Sequence, residues 1–218
     1  MRLNAFIAQA TGISRRKADE LIKAGRVSID GKEASLGTKV TDTAIVKLDD
    51  RTLVQTSRRL VIMVNKPEGY VVSRSGQGSK TVYDLLPSEY ASLKPVGRLD
   101  KNSSGLLLMT DDGQLAQSLT HPSKSKLKIY MVSLDKSLTS KDELQISQGI
   151  RLEDGDSRLE LTGFSADRKR MTVKMSEGRN RQIRRTFQSL GYIVTKLHRI
   201  SFGEYGLNGL EIGKYVKL

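Results

Sequence analysis

The chain has 218 residues, with 37 Lys and Arg against 24 Asp and Glu and a formal charge of +13. That length suits one medium domain, or a small module joined to one of about 150 residues, and it is enough to bury a core without staples. With no Cys and only two His, His121 and His198, disulfide scaffolds, zinc ribbons, thiol nucleophiles and iron–sulfur clusters are excluded, and no metal site is expected. No apolar run approaches the roughly 20 residues that span a bilayer. The start, Met1-Arg2-Leu3-Asn4, enters an amphipathic pattern without the apolar segment of a secretory signal. A cytoplasmic chain with no membrane role is expected. Its excess of cations asks for a polyanionic partner, nucleic acid first.

Leu3, Phe6, Ile7 and Ala10 have helical spacing and predict a helix over 3–12, stopped by Gly12. Ile13 and Ser14 supply the apolar residue and N-cap of a second helix, Arg15 to Ala24, that buries Ala18, Leu21 and Ile22. Gly25 ends it in the left-handed region. Arg26 to Ile29 alternates like a strand, Asp30-Gly31 is a two-residue hairpin turn, and Val40, Ile45, Val46 and Leu48 suggest further short strands. Residues 51–59 are polar and unpatterned, a linker by composition. The division expected is therefore 1–57 and 58–218. The second helix carries Arg15, Arg16, Lys17 and Lys23, with Arg26 just beyond. Cations at a helix start oppose the macrodipole, a cost that hints at a phosphate-facing role; a solvated face is the plain alternative.

Ser14-Arg15-Arg16-Lys17-Ala18-Asp19-Glu20-Leu21-Ile22 followed by Gly25-Arg26-Val27-Ser28-Ile29-Asp30-Gly31-Lys32 resembles the S-four RNA-binding domain, over about residues 1–50. The resemblance implies docking on structured RNA and says nothing of catalysis.

From Leu60 the character changes. Val61-Ile62-Met63-Val64 reads as a buried strand entering the turn Asn65-Lys66-Pro67-Glu68-Gly69. The loop Ser73 to Lys80 lacks the spacing of a phosphate-binding P-loop. Strands are predicted over Leu106–Thr110, Leu127–Leu134, Leu159–Phe164 and Met171–Met175, and helices over Gly113–Thr120 and Arg181–Leu190. The fold class is α+β: a small αβ module joined to a mixed, largely antiparallel sheet domain. Gly97-Arg98-Leu99-Asp100 lies on a loop ahead of a strand, whereas Asp111-Asp112-Gly113 reads as turn plus N-cap. From Asp167 to Arg199 there are ten Lys or Arg against two acids, the electrostatic footprint of a phosphate backbone. Arg181, Arg184 and Arg185 fall at i, i+3 and i+4, so a helix puts them on one face, where RNA phosphates or a single carboxylate would relieve their repulsion. Lys124, Lys126, Lys128 and Tyr130 alternate as on one face of a strand, either a base-stacking groove or a lysine-protected edge.

Four ordered motifs now combine: Asn65 to Ser73; Gly97-Arg98-Leu99-Asp100 with Ser104-Gly105-Leu106-Leu107; Lys128-Ile129-Tyr130; and Gly178-Arg179-Asn180-Arg181-Gln182-Ile183-Arg184-Arg185. Behind the S-four module they resemble the ribosomal pseudouridine synthases of the small-subunit pseudouridine synthase A family. The resemblance spans the chain and implies a cofactor-free isomerase acting on ribosomal RNA, with the small subunit favoured, and a monomer. It implies Asp100 as the catalytic carboxylate, Tyr130 as the ring packed on the target uracil, and Arg184 as the guanidinium paired with Asp100. It implies Arg98 as the residue displacing the base, Ile183 as an apolar pocket wall, and Lys66 and Pro67 as shaping that wall. Lys128 and Arg181 join them as substrate-binding candidates, and Arg179 and Arg185 join the S-four cations as RNA-binding candidates. Asn102-Ser103-Ser104 and Thr186 depart from the family pattern, away from the expected chemistry. A non-catalytic RNA-binding assembly factor using the same basic groove is the alternative. Asp100 acts ionised, as a nucleophile at C1′ or a base at C2′, and an adjacent guanidinium favours that form.

Overall fold

A computed structural model describes residues 1–54 and 59–218. Helix α1 (Leu3–Thr11) ends at Gly12, whose φ of 78° is left-handed. Ser14 then caps α2 (Arg15–Lys23), its hydroxyl accepting from the Lys17 N–H at 3.1 Å. Strands β1 (Val27–Ile29) and β2 (Lys32–Glu33) are joined by Asp30 and Gly31, at φ 49° and 80°. Two consecutive positive φ values are what the tight hairpin turn demands. Strands β3 (Val46–Leu48) and β4 (Arg51–Thr52) complete a sheet of order β2-β1-β3-β4. Leu3, Ile7, Ala18, Ile22, Val27 and Val46 form its core with the helices. The linker expectation is corrected at its start: residues 51 and 52 pair in the sheet and Leu53 packs on this core. The expected boundary between 57 and 58 lies outside the described residues. Val40 is buried without joining a strand, and Ile45 is exposed.

The larger domain runs β5 (Val61–Lys66), two short 3-10 turns, β6 (Lys94–Val96), β7 (Ser104–Thr110), α3 (Gly113–Thr120), β8 (Lys128–Leu134), α4 (Ser140–Gln148) and the hairpin β9 (Ile150–Leu152) with β10 (Gly155–Ser157). It continues through β11 (Glu160–Thr162), β12 (Arg170–Met175), α5 (Gln182–Gln188), β13 (Val194–Phe202), β14 (Tyr205–Gly206) and β15 (Tyr215–Lys217). Among the described residues nine strands form one sheet of order β11-β12-β8-β13-β7-β5-β15, with β14 on β13 and β6 on β7. All its strand pairs are antiparallel except β13 with β7. Every residue of β7 is buried, because apolar layers cover it on both sides: Leu106, Leu108, Met63 and Leu119 in one, Leu107, Met109, Ile62 and Val64 in the other. Asp112 caps α3 as expected, accepting from the Gln114 and Leu115 N–H groups. Among the described residues no helix is long and apolar enough to cross a membrane.

The single parallel pairing sets Ser104 beside His198 and Gly105 beside Arg199. Gly105 has a φ of 108°, and a Cβ there would lie 2.2 Å from the Arg199 carbonyl oxygen and 2.5 Å from its nitrogen. Beyond this point β13 slips register between Arg199 and Ser201, so that Arg199 faces Tyr130 and Phe202 faces Lys128 on β8. Gly105→Ala must therefore part β7 from β13 and strain its own backbone. A loss of about 3 kcal/mol is expected, read as a melting temperature lower by roughly 6–12 °C.

Candidate active site

The loop Gly97 to Ser103 leaves β6 and enters β7, with Gly97 at φ 73°. Two cations brace it. Lys66, fully buried at the end of β5, donates from Nζ to the carbonyls of Pro67 at 2.8 Å and Ser103 at 2.7 Å. The Gly69 N–H adds a bond to the Lys101 carbonyl at 2.8 Å. Burial pushes the Lys66 ammonium down to about 8, against the opposing pull of Glu68 and Asp100. From α5, Arg184 donates to the Val194 carbonyl at 2.7 Å and to the Asn102 carbonyl, with the Ser103 hydroxyl at 3.5 Å. Burial, and then Arg181, depress its pKa, while Asp100 and Glu68 raise it.

So braced, the loop presents Asp100 to a cleft of about 590 Å³. An Arg181 terminal nitrogen stands 3.6 Å from an Asp100 carboxylate oxygen. Arg98, exposed, lies on the same wall; Tyr130 and Ile183, both buried, line the cleft with Leu197, Met175 and Phe202. Lys128 lines it as well, but its Nζ donates to three carbonyls, those of Lys126, Ser176 and Glu177, at 3.0–3.2 Å. Burial and the neighbouring Arg199 lower its pKa. Glu177 is the other acid on the cleft, and its carboxylate is taken up by the Arg179 Nε at 3.1 Å and the Gln182 amide at 3.0 Å.

Several expectations are corrected. Arg184 braces the backbone beside Asp100 and Arg181 takes the ion pair, because α5 begins only at Gln182. Arg181 is its N-cap at φ 46°, outside the helical face that the spacing suggested. Lys66 and Pro67 support the loop from behind and do not line the cleft. Strand β8 starts at Lys128, so the lysine row shortens: Lys124 closes a 3-10 turn and Lys126 precedes the strand. Ser103 lines the cleft, so the departure at 102–104 does touch the site. Most basic candidates carry internal partners. Asp154, on the β9–β10 turn, binds Arg179 at 2.9 Å and Arg185 bidentately at 3.0 and 2.6 Å. In the small domain Arg26 pairs with Asp49, Lys17 with Glu20 at 2.8 Å, and Arg15 with the Asn4 side chain at 3.1 Å. Arg16 and Lys23 are exposed.

Sequence reasoning passed over Asp154, Leu197, Arg199 and Phe202. For the last three the signal lay in Val194 to Phe202, where the apolar residues Val194, Leu197, Ile200 and Phe202 recur without a strict alternation. For Asp154 it lay in the acidic turn Glu153-Asp154-Gly155-Asp156, the charge complement of the arginines.

One carboxylate faces the basic cleft across from an arginine, while the second acid is tied into the wall. That suits an enzyme that rearranges one nucleoside of an RNA rather than hydrolysing it, since glycoside hydrolysis uses two working carboxyl groups. Residues 60–189 match the family model for RNA pseudouridylate synthase, and residues 1–46 that for the S4 domain. The chain belongs to the RNA pseudouridylate synthase family and is a pseudouridine synthase with an N-terminal S4 RNA-binding domain. It is 38% identical over 217 residues to a ribosomal large subunit pseudouridine synthase B of Vibrio cholerae, covering 95% of this chain and 68% of that one. To the synthase of the same description from Bacillus subtilis it is 37% identical over 220 residues, covering 97% and 89%. To an uncharacterised RNA pseudouridine synthase of Aquifex aeolicus it is 35% identical, covering 100% and 90%. A crystal structure of a pseudouridylate synthase superposes with a TM-score of 0.71 at 31% identity, covering 100% of this chain and 96% of that one. The small-subunit expectation is overturned, since the relatives from Vibrio cholerae and Bacillus subtilis are named for the large ribosomal subunit.

Lys66 supplies a test of the brace. Its folded pKa of about 8 lies below its ordinary 10.5, so between those values the unfolded chain holds more protons and stability rises with pH. The rise attributable to Lys66 is about 3 kcal/mol. Denaturant unfolding at pH 7 to 10 is expected to show this slope in the native protein and its loss in Lys66→Met.

Proposed function

We propose that the protein converts a uridine of large-subunit ribosomal RNA to pseudouridine, with Asp100 as the reacting carboxylate. The observation that carries the reading is Asp100 facing Arg181 at 3.6 Å on a cleft that also holds Tyr130 and Ile183. The relatives named for the large subunit, which match 95% and 97% of this chain, support the target class.

The reaction breaks C1′–N1, turns the base and rejoins it through C5. A uridine in folded RNA must first leave its stack, at a cost of a few kcal/mol. Stacking on Tyr130 returns about 1–3 kcal/mol, and exposed Arg98 is placed to fill the gap left in the RNA. Arg181 sets a positive charge 3.6 Å from the Asp100 carboxylate, whether that carboxylate attacks C1′ or removes the C2′ proton. Water intercepting the intermediate would hydrolyse it, and Ile183, Leu197, Met175 and Phe202 supply a dry wall against that. The Tyr130 hydroxyl, on the same cleft, is the candidate to assist loss of the C5 proton. One chain builds the whole cleft, in keeping with a monomer, and a ribosomal substrate is in keeping with a cytoplasmic location.

Asp100→Asn is expected to lose turnover by at least about 10³-fold, with RNA affinity within a few-fold of native. Pseudouridine mapping in large-subunit RNA, with and without the protein, reads the product; conversion by the variant at native rate would remove Asp100 from the chemistry. RNA affinity is also expected to fall at least about tenfold between low and moderate salt, through counterion release; a filter-binding titration with a flat response would contradict phosphate docking.

A further inference from the structure

Arg199 sits on β13 with 3% of its surface exposed. Its Nε donates to the Leu106 carbonyl at 2.8 Å and its guanidinium lies 5.0 Å from the centre of the Phe202 ring. Its Nη2 is buried and has no hydrogen-bond partner. Among the described residues no carboxylate stands within salt-bridge distance of it. A second cation, Lys128, lies over the same ring at 5.3 Å. A buried charge with no counterion costs several kcal/mol, so this wall is built for negative charge that arrives from outside the chain. The β8–β13 register sets Arg199 directly opposite Tyr130, and both line the cleft with Asp100.

We infer that Arg199 is a further catalytic residue, stabilising the negative charge that develops on the uracil as its glycosidic bond breaks. The inference rests on the reading of Asp100 and Tyr130 given above. When C1′–N1 breaks, the electron pair leaves with the base and spreads over N1 and the carbonyl oxygens O2 and O4. Meanwhile C1′ is either bonded to the Asp100 carboxylate or joined to C2′ as an enol ether whose proton Asp100 holds. The base returns the pair as the C5–C1′ bond while the Asp100–C1′ bond breaks or C2′ takes its proton back from Asp100, and the proton lost from C5 is balanced by one gained at N1. No redox partner enters, and Arg199 exchanges no proton. A fixed guanidinium donor in a dry wall, aimed at charge that exists only partway through the reaction, acts as an oxyanion hole does.

The test uses the full-length protein, the variants Arg199→Lys and Arg199→Gln, and an RNA carrying either uridine or 5-fluorouridine at the target. The ring fluorine itself stabilises negative charge on the base, so a residue that performs that task matters less on the fluorinated substrate. Single-turnover glycosidic cleavage is expected to fall about 100-fold on uridine and less than about tenfold on 5-fluorouridine, with RNA affinity within about twofold of native. An equal fall on both substrates overturns the inference. So does a loss of RNA affinity that accounts for the rate, which would make Arg199 a phosphate contact, and so does failure of both variants to melt cooperatively, which would make it purely structural. Asp100→Asn run in parallel separates the two readings. If that variant turns over normally, the site itself is misread; if it is inactive while the Arg199 variants fall equally on both RNAs, only the role of Arg199 is lost.

Discussion

The contact on which the rest depends is the close approach of Gly105 to the main chain of Arg199. The catalytic sheet consists of two groups of strands, β11-β12-β8-β13 and β7-β5-β15, and they are joined where β7 runs parallel to β13. Asp100 comes from the loop that enters β7; Tyr130 and Arg199 come from the other group. A bulkier residue at 105 would separate the carboxylate from the ring it works against. Glycine is required for a reason of distance as well as backbone angle, since the space for a Cβ is already taken by peptide atoms.

Charge in this molecule is organised by depth. The outer arginines, Arg179, Arg185 and Arg26, are held by carboxylates on neighbouring turns. The inner cations are held by carbonyl oxygens: Lys66 by Pro67 and Ser103, Arg184 by Asn102 and Val194, Lys128 by the turn after β12. Dipoles fix a cation in place without neutralising it. The positive potential near Asp100 is therefore retained, and Arg181 is the cation paired with that carboxylate. The number of basic side chains is a poor guide to where anions bind, because Arg179, Arg185, Arg26 and Lys17 are already paired with Asp154, Asp49 and Glu20.

What is legible in the sequence follows from how local its signals are. Ser14, Asp30-Gly31, Asp112 and the apolar run of β7 act within a few residues, and the structure bears each of them out. The meeting of Asp100 with Tyr130 and Ile183 on one cleft follows from their motifs. Arg181 takes the ion pair expected of Arg184 because Arg181 adopts a left-handed backbone before α5, and spacing alone carries no trace of it. Helix α4 escapes a reading by periodicity since Ser140 to Gln148 is mostly polar and buries only Ile146. The choice of ribosomal target is illegible for a different reason: it is not written in residues that perform the shared reaction.

The register slip after Arg199 has a geometric consequence. In a regular strand the third residue on points away, yet here both Arg199 and Phe202 look toward β8 on the same side. One ribbon of backbone thus supplies a cation and the aromatic plate beneath it, an arrangement that ordinarily needs two separate elements. The defect in pleating works as a hinge pin for side-chain direction, and a perfectly periodic β13 would turn the plate away from the guanidinium it now underlies.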